Sequence, residues 1–185
     1  MVRHWVRSVA PVSILGGLLL SALLVVPSAA SAQQQPEHSG FTLMLNIGAG
    51  LQDDGALPES QVGLAGLNLG IGGFVSERVA IWFRASGTNA AYSTPQGDVT
   101  QVSGFGGPAV QYWATERVAL EGGVGIGFWD IEGTNEGGLG LMLGASYVFW
   151  TNGGHSLFVG AEYAPAFTDP ETIHNYGLVF GWQLN

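Results

Sequence analysis

Arg84, Glu121 and Glu162 are the charged side chains whose placement points to chemistry. Each falls on the small or neutral side of a segment that alternates with period two, so all three are expected on one common face. A guanidinium between two carboxylates forms an ion-pair network, because a charge taken out of water is strongly unfavourable without a partner. His155, Ser156, Glu162 and His174 supply the imidazole, hydroxyl and carboxylate groups of a hydrolase, yet no nucleophile motif surrounds Ser156. Carboxylates gather between the alternating segments at Asp53, Asp54 and Glu59, at Asp98, at Asp130, Glu132 and Glu136, and at Asp169 and Glu171. Oxygen ligands suit calcium or magnesium, but DIEGTNEG lacks the spacing of a calcium loop, which favours a solvated acidic surface. There is no cysteine, phosphate-binding loop or zinc spacing, so neither a metal nor a cofactor is expected.

The segments that position these groups alternate strictly. Phe41, Leu43, Leu45, Ile47 and Ala49 oppose Thr42, Met44, Asn46 and Gly48; Val79, Ile81, Phe83 and Ala85 oppose Ala80, Trp82, Arg84 and Ser86. The pattern returns over 118–128, 139–149, 157–163 and 174–184, more weakly over 65–73, and over 101–113 with an interruption at Phe105-Gly106-Gly107-Pro108 that predicts a bulge or a late strand start. Eight strands result. Their connections alternate between short, around 76–78, 115–117 and 152–154, and longer, around 51–61, 88–98, 129–137 and 165–173. SERVAIW at 76–82 and TERVALE at 115–121 each open a strand after a short turn, which supports the hairpin count.

The first 32 residues carry Arg3 and Arg7, an apolar stretch from Val9 to Val26, and Ala30-Ser31-Ala32. That is the layout of a secretory signal, with cleavage expected between Ala32 and Gln33. A polar spacer at 33–39 and one domain at 40–185 follow. Beyond the signal there are three arginines and no lysine against 14 carboxylates, which makes nucleic acid an unfavourable partner. Charged residues make up 10% of the chain, far below the roughly 25% of soluble domains, and 30 residues are glycine.

A soluble eight-stranded barrel turns its apolar face inward and a charged face to water. Here the non-apolar faces hold mostly Gly, Ser, Asn and Gln, too small and uncharged for that exterior but suited to a narrow interior. The apolar faces carry no charge, as lipid requires, and closure satisfies the backbone where no water can. Tyr112, Trp113, Phe128, Trp129, Phe149, Trp150 and Trp182 near strand ends are expected as interfacial girdles.

With its signal, its eight alternating segments, turns such as WATERVALEGGVGIGF and the final strand YGLVFGWQLN, the chain resembles the small outer-membrane β-barrels that include the transmembrane domain of outer membrane protein A and the opacity-type surface proteins. The resemblance spans residues 33–185. It implies an all-β, eight-stranded antiparallel up-and-down transmembrane barrel in the bacterial outer membrane, preceded by a cleaved signal peptide. Lipid, lipopolysaccharide and the export and barrel-assembly machinery are its implied partners, with a monomer as the expected state. The resemblance also implies that Arg84, Glu121 and Glu162 form a lumenal ion-pair network that plugs the interior; the alternative is a gate in which Arg84 exchanges partners and opens a narrow water path. It further implies an assembly signal on the last strand at Tyr176, Leu178, Phe180, Trp182 and Leu184; because Asn185 is not aromatic, Leu184 or Trp182 has to serve as the terminal element. Some barrels of this kind deacylate or palmitoylate lipid A with His, Ser and carboxylate groups. His155 and Ser156, however, sit beside a short turn, on the periplasmic side, away from the outer leaflet. A non-enzymatic structural or surface-interaction role is therefore the expected one, with a channel and a lipid A-modifying enzyme as alternatives.

Overall fold

Alternation between apolar and small residues produces extended strands because successive side chains point to opposite faces of a pleated backbone. A computed structural model describes residues 38–53, 61–94, 97–131, 134–169 and 171–185. The signal segment with Ala32 and Gln33, and Asp54, Glu59 and Glu132, lie outside the described residues.

The strands are β1 (Gly40–Asp53), β2 (Gln61–Ser76), β3 (Val79–Thr94), β4 (Gly97–Trp113), β5 (Val118–Ile131), β6 (Thr134–Asn152), β7 (His155–Tyr163), β8 (Ala166–Phe167) and β9 (Thr172–Leu184). Each pairs antiparallel with its sequence neighbour up to β7, and β9 pairs with both β7 and β1, which closes the ring. β8 is not a ninth stave. It continues the register of β7 along both β6 and β9, after an interruption at Ala164-Pro165. Proline has no N–H to give the ladder, yet Ala164 N still donates to Asn175 O at 2.9 Å and Pro165 O accepts from Leu141 N at 3.1 Å. The barrel therefore has eight staves, the seventh broken at Pro165.

Two expectations about the strands and their connections change. The bulge predicted within 101–113 is absent: β4 keeps one register with β3 from Val79↔Tyr112 to Thr94↔Gly97, and Pro108 lacks a partner only on the β5 side. Register shifts occur instead at Asn46/Gly48, Ala65/Leu69, Phe74/Ser76 and Val148/Trp150. Glycine makes the continuous β4–β5 seam possible, since a Cβ on Gly125 would lie 2.4 Å from Gly106 O. The connections expected at 88–98 and 129–137 are also mostly strand. β3 and β4 pair to Thr94↔Gly97, and β5 and β6 to Ile131↔Thr134. The hydrogen-bonded ladder thus runs on past the point where apolar alternation ends.

The two faces separate cleanly. Leu67 (76% exposed), Ile126 (66%), Phe83 (59%) and Leu178 (58%) are among the large apolar side chains on the outside. Met44, Trp82, Phe105, Met142 and Phe158 are buried inside with Arg84 and a set of amides and hydroxyls. Trp113 and Trp129 depart from their expected place in the lipid girdle. Tyr112 and Phe128 take the outward positions, so alternation turns both indoles inward; Trp113 is buried and its Nε1 donates to Gln111 Oε1 at 3.1 Å. Phe149 and Trp150 are both exposed, because the shift at Val148/Trp150 suspends alternation there.

Candidate functional site

The interior is crossed by three tiers of polar side chains, each joining staves on opposite sides of the ring. At the short-turn end, Gln183 Nε2 on β9 donates to Gln111 Oε1 on β4 at 3.0 Å, and Thr42 Oγ1 donates to Leu184 O at 2.5 Å. At the other end, Gln52 Nε2 donates to Ser103 Oγ, which donates to Asn175 Oδ1, and Asn175 Nδ2 donates to Ala164 O at 2.9 Å.

The middle tier brings together Arg84, Glu121 and Glu162. Arg84 Nη2 on β3 donates to Glu162 Oε1 on β7 at 2.6 Å, and Arg84 Nε lies 3.3 Å from Glu121 Oε1 on β5. The arginine is fully buried and both carboxylates are nine-tenths buried. Glu162 receives two more donors, Asn46 Nδ2 at 2.9 Å and Asn68 Nδ2 at 3.2 Å, and Asn68 Oδ1 in turn accepts from Gly87 N at 3.0 Å. Glu121 makes only the longer contact with Arg84, which lacks the alignment of a hydrogen bond. The two carboxylates are therefore unequal partners of one guanidinium. Asn46 and Asn68 belong to this site although they carry no charge; their signal in the sequence is a large polar residue on an inward row dominated by glycine. Beside the tier is a cavity of about 10 Å³ lined by Glu121, Glu162, Gln111, Met44 and Phe158, the room of one water molecule.

The pieces of a hydrolase do not meet. Ser156 is buried at the short-turn end, where Asn185 Nδ2 donates to its Oγ at 2.5 Å, while His155 points to the other face and stacks on Trp182 at 5.6 Å. Glu162 is held in the lumen and His174 stands near the opposite end, its Nδ1 2.8 Å from Tyr163 Oη. No group of three or more metal-ligating side chains occurs among the described residues. Asp98 lies on β4, Asp130 on β5 and Glu136 on β6, each on the strand extensions rather than in a common loop. Tyr176, Leu178 and Phe180 project outward from β9, with Trp182 and Leu184 half-buried on the same face.

No protein-family model matches the sequence, and no curated protein matches it. Solved structures do match. Ail, the attachment invasion locus protein of Yersinia pestis, in complex with the heparin analogue sucrose octasulfate, superposes with a TM-score of 0.60 at 14% identity, over 78% of this chain and 99% of that one. Neisserial surface protein A superposes with a TM-score of 0.55 at 18% identity, over 79% of this chain and 97% of that one. The chain has the fold of a small outer-membrane β-barrel. In an outer-membrane barrel the short turns face the periplasm and the longer connections face outward. The turns at Glu77-Arg78 and Gly153-Gly154, with the start of β1 and the end of β9, thus define its periplasmic side, and the end bearing Asp53, Asp130 and His174 is its outer side. The location that goes with this fold and this apolar exterior is the bacterial outer membrane.

Proposed function

We propose that the protein is a monomeric, non-enzymatic barrel of the outer membrane with a structural or surface-interaction role, whose lumen is plugged and whose specific contacts are made by the outer connections and strand extensions. The observation that carries this reading is the middle tier. Arg84 reaches across the ring to Glu162, and the tiers on either side of it fill the bore with Gln111 and Gln183 below and Gln52, Ser103 and Asn175 above. An eight-stranded barrel has room only for packed side chains. Against an enzyme stands the separation of Ser156, Glu162 and His174. The exposed face of β9 supports its reading as the assembly signal, and the layout of Arg3, Arg7, the apolar stretch and Ala30-Ser31-Ala32 supports export with cleavage after Ala32.

The solved Ail complex holds a polyanion. Such a ligand suits this chain poorly, because the three arginines beyond the signal are Arg84 in the lumen and Arg78 and Arg117 in the periplasmic turns. A neutral or cationic surface partner fits the acidic outer end better.

Expression of the full chain in a bacterium with an outer membrane tests the reading. Recovery in the outer-membrane fraction, heat-modifiable migration on gels and no discrete conductance in planar bilayers are expected. Conductance that rises on Arg84→Ala would replace the plug with the gate, and altered lipid A mass on expression would replace it with an enzyme.

A further inference from the structure

On the outside of the barrel, near its outer rim, three rings lie close to parallel. Tyr163 on β7 faces Tyr176 on β9 as a cross-strand pair, with ring centroids 5.0 Å apart and 25° between planes. His174, two residues earlier on β9, lies 6.0 Å from Tyr163 at 8° and 6.5 Å from Tyr176 at 22°. Tyr163 Oη and His174 Nδ1 are 2.8 Å apart. A neutral imidazole that accepts this bond carries its proton on Nε2 and so offers a donor on its far side. Asp53 of β1 stands opposite His174 in the ladder and adds a carboxylate to the same edge. All three rings are partly exposed, and Tyr176 is 37% exposed.

We infer that Tyr163, His174 and Tyr176 form a platform on which a neutral core sugar of outer-leaflet lipopolysaccharide stacks. The inference rests on the outer-membrane reading above and adds the partner of one surface. Its chemistry follows from what the platform has and lacks. The face of an aromatic ring is negative and attracts the weakly positive C–H groups of a pyranose, while phenol, imidazole and carboxylate at its edge exchange hydrogen bonds with hydroxyls. A phosphate would want cations, and every arginine beyond the signal lies elsewhere, in the lumen or at the periplasmic turns. The platform sits at the end of β9 nearest the outer connection, at the level of the outer rim. An ordinary interfacial girdle needs only amphipathic rings at that depth. It does not call for three rings locked near-parallel by a hydrogen bond.

The test uses protein purified from outer membranes and reconstituted in nanodiscs, with ring signals of His174, Tyr163 and Tyr176 followed by nuclear magnetic resonance. Lipopolysaccharide that bears its neutral core hexoses is titrated in one arm and phosphatidylglycerol in the other. Shifts with lipopolysaccharide alone are expected. In the Tyr163→Leu/Tyr176→Leu double variant, which keeps the exterior apolar and its heat-modifiable migration, retention of lipopolysaccharide should fall about tenfold. Equal shifts with both lipids, or none, would overturn the platform while leaving the outer-membrane reading intact. A protein soluble without detergent would overturn that reading and this one with it.

Discussion

Arg84 and Glu162 meet at 2.6 Å across the full width of the barrel, on staves that share no ladder. The contact holds opposite walls together and sets an order among the three charges. Arg84→Ala leaves two buried carboxylates without a cation and should cost ~3–5 kcal/mol, read from urea unfolding in detergent micelles. Glu121→Gln, which disturbs one unaligned contact, should cost no more than about 1 kcal/mol. Equal losses would contradict the inequality of the two glutamates.

The exterior predicts a depth profile. Phe83 is the outward neighbour of Arg84 and pairs with Ile71 and Pro108, in the middle of the apolar belt. Phe83→Arg should destabilise the barrel in lipid vesicles by ~2–4 kcal/mol, whereas Asn89→Arg, near the outer rim, should cost ~0–1 kcal/mol. A reversed order would mean that the faces or the depth had been misassigned.

His38 predicts a pH dependence. It is 7% exposed, stacks on Phe74 at 4.9 Å and lies 4.2 Å from Trp113, and its Nδ1 is 3.2 Å from Glu77 O, so the end of the expected polar spacer is docked on the periplasmic mouth. Burial pushes the imidazole below its ordinary value of 6.5, and the bond to Glu77 O opposes this only in part. The undocked form binds the proton more readily, so docking is fully stable above about pH 6.5 and weakens as pH falls through the lowered value. Protease nicking near His38 should rise at acid pH, and His38→Phe should abolish that dependence.

Gly125 predicts a packing limit. An alanine there would place a methyl 2.4 Å from Gly106 O and 2.8 Å from Gly107 Cα, backbone that cannot turn aside. Gly125→Ala should cost ~1–3 kcal/mol, while Gly106→Ala, whose Cβ would point into open space, should be nearly neutral in the same unfolding assay.

Strand number, the two faces and the inward placement of Arg84, Glu121 and Glu162 could be read from period two alone, because one-residue slips would put every side chain in the wrong solvent. The orientation of Trp113 and Trp129 was legible by the same rule, but their aromatic character suggested lipid. What the pattern did not carry was pairing across the bore. Asn46, Asn68, Gln52 and Gln111 look alike in sequence, and which of them meets Glu162 depends on the relative offset of staves far apart in the chain. The outer extensions were missed because residues such as Ala91, Thr100 and Thr134 pair as well in water as in lipid, without an apolar signal.

The β1–β9 ladder runs from Leu43↔Leu184 to Asp53↔His174 and thus joins the first stave to the last. A chain synthesised only as far as Tyr163 would have two raw edges and no cylinder, because neither β1 nor β7 would yet have its second neighbour. Closure is therefore an event reserved for a completed polypeptide. It cannot run alongside synthesis, and until it happens both edges must be shielded from each other and from other chains.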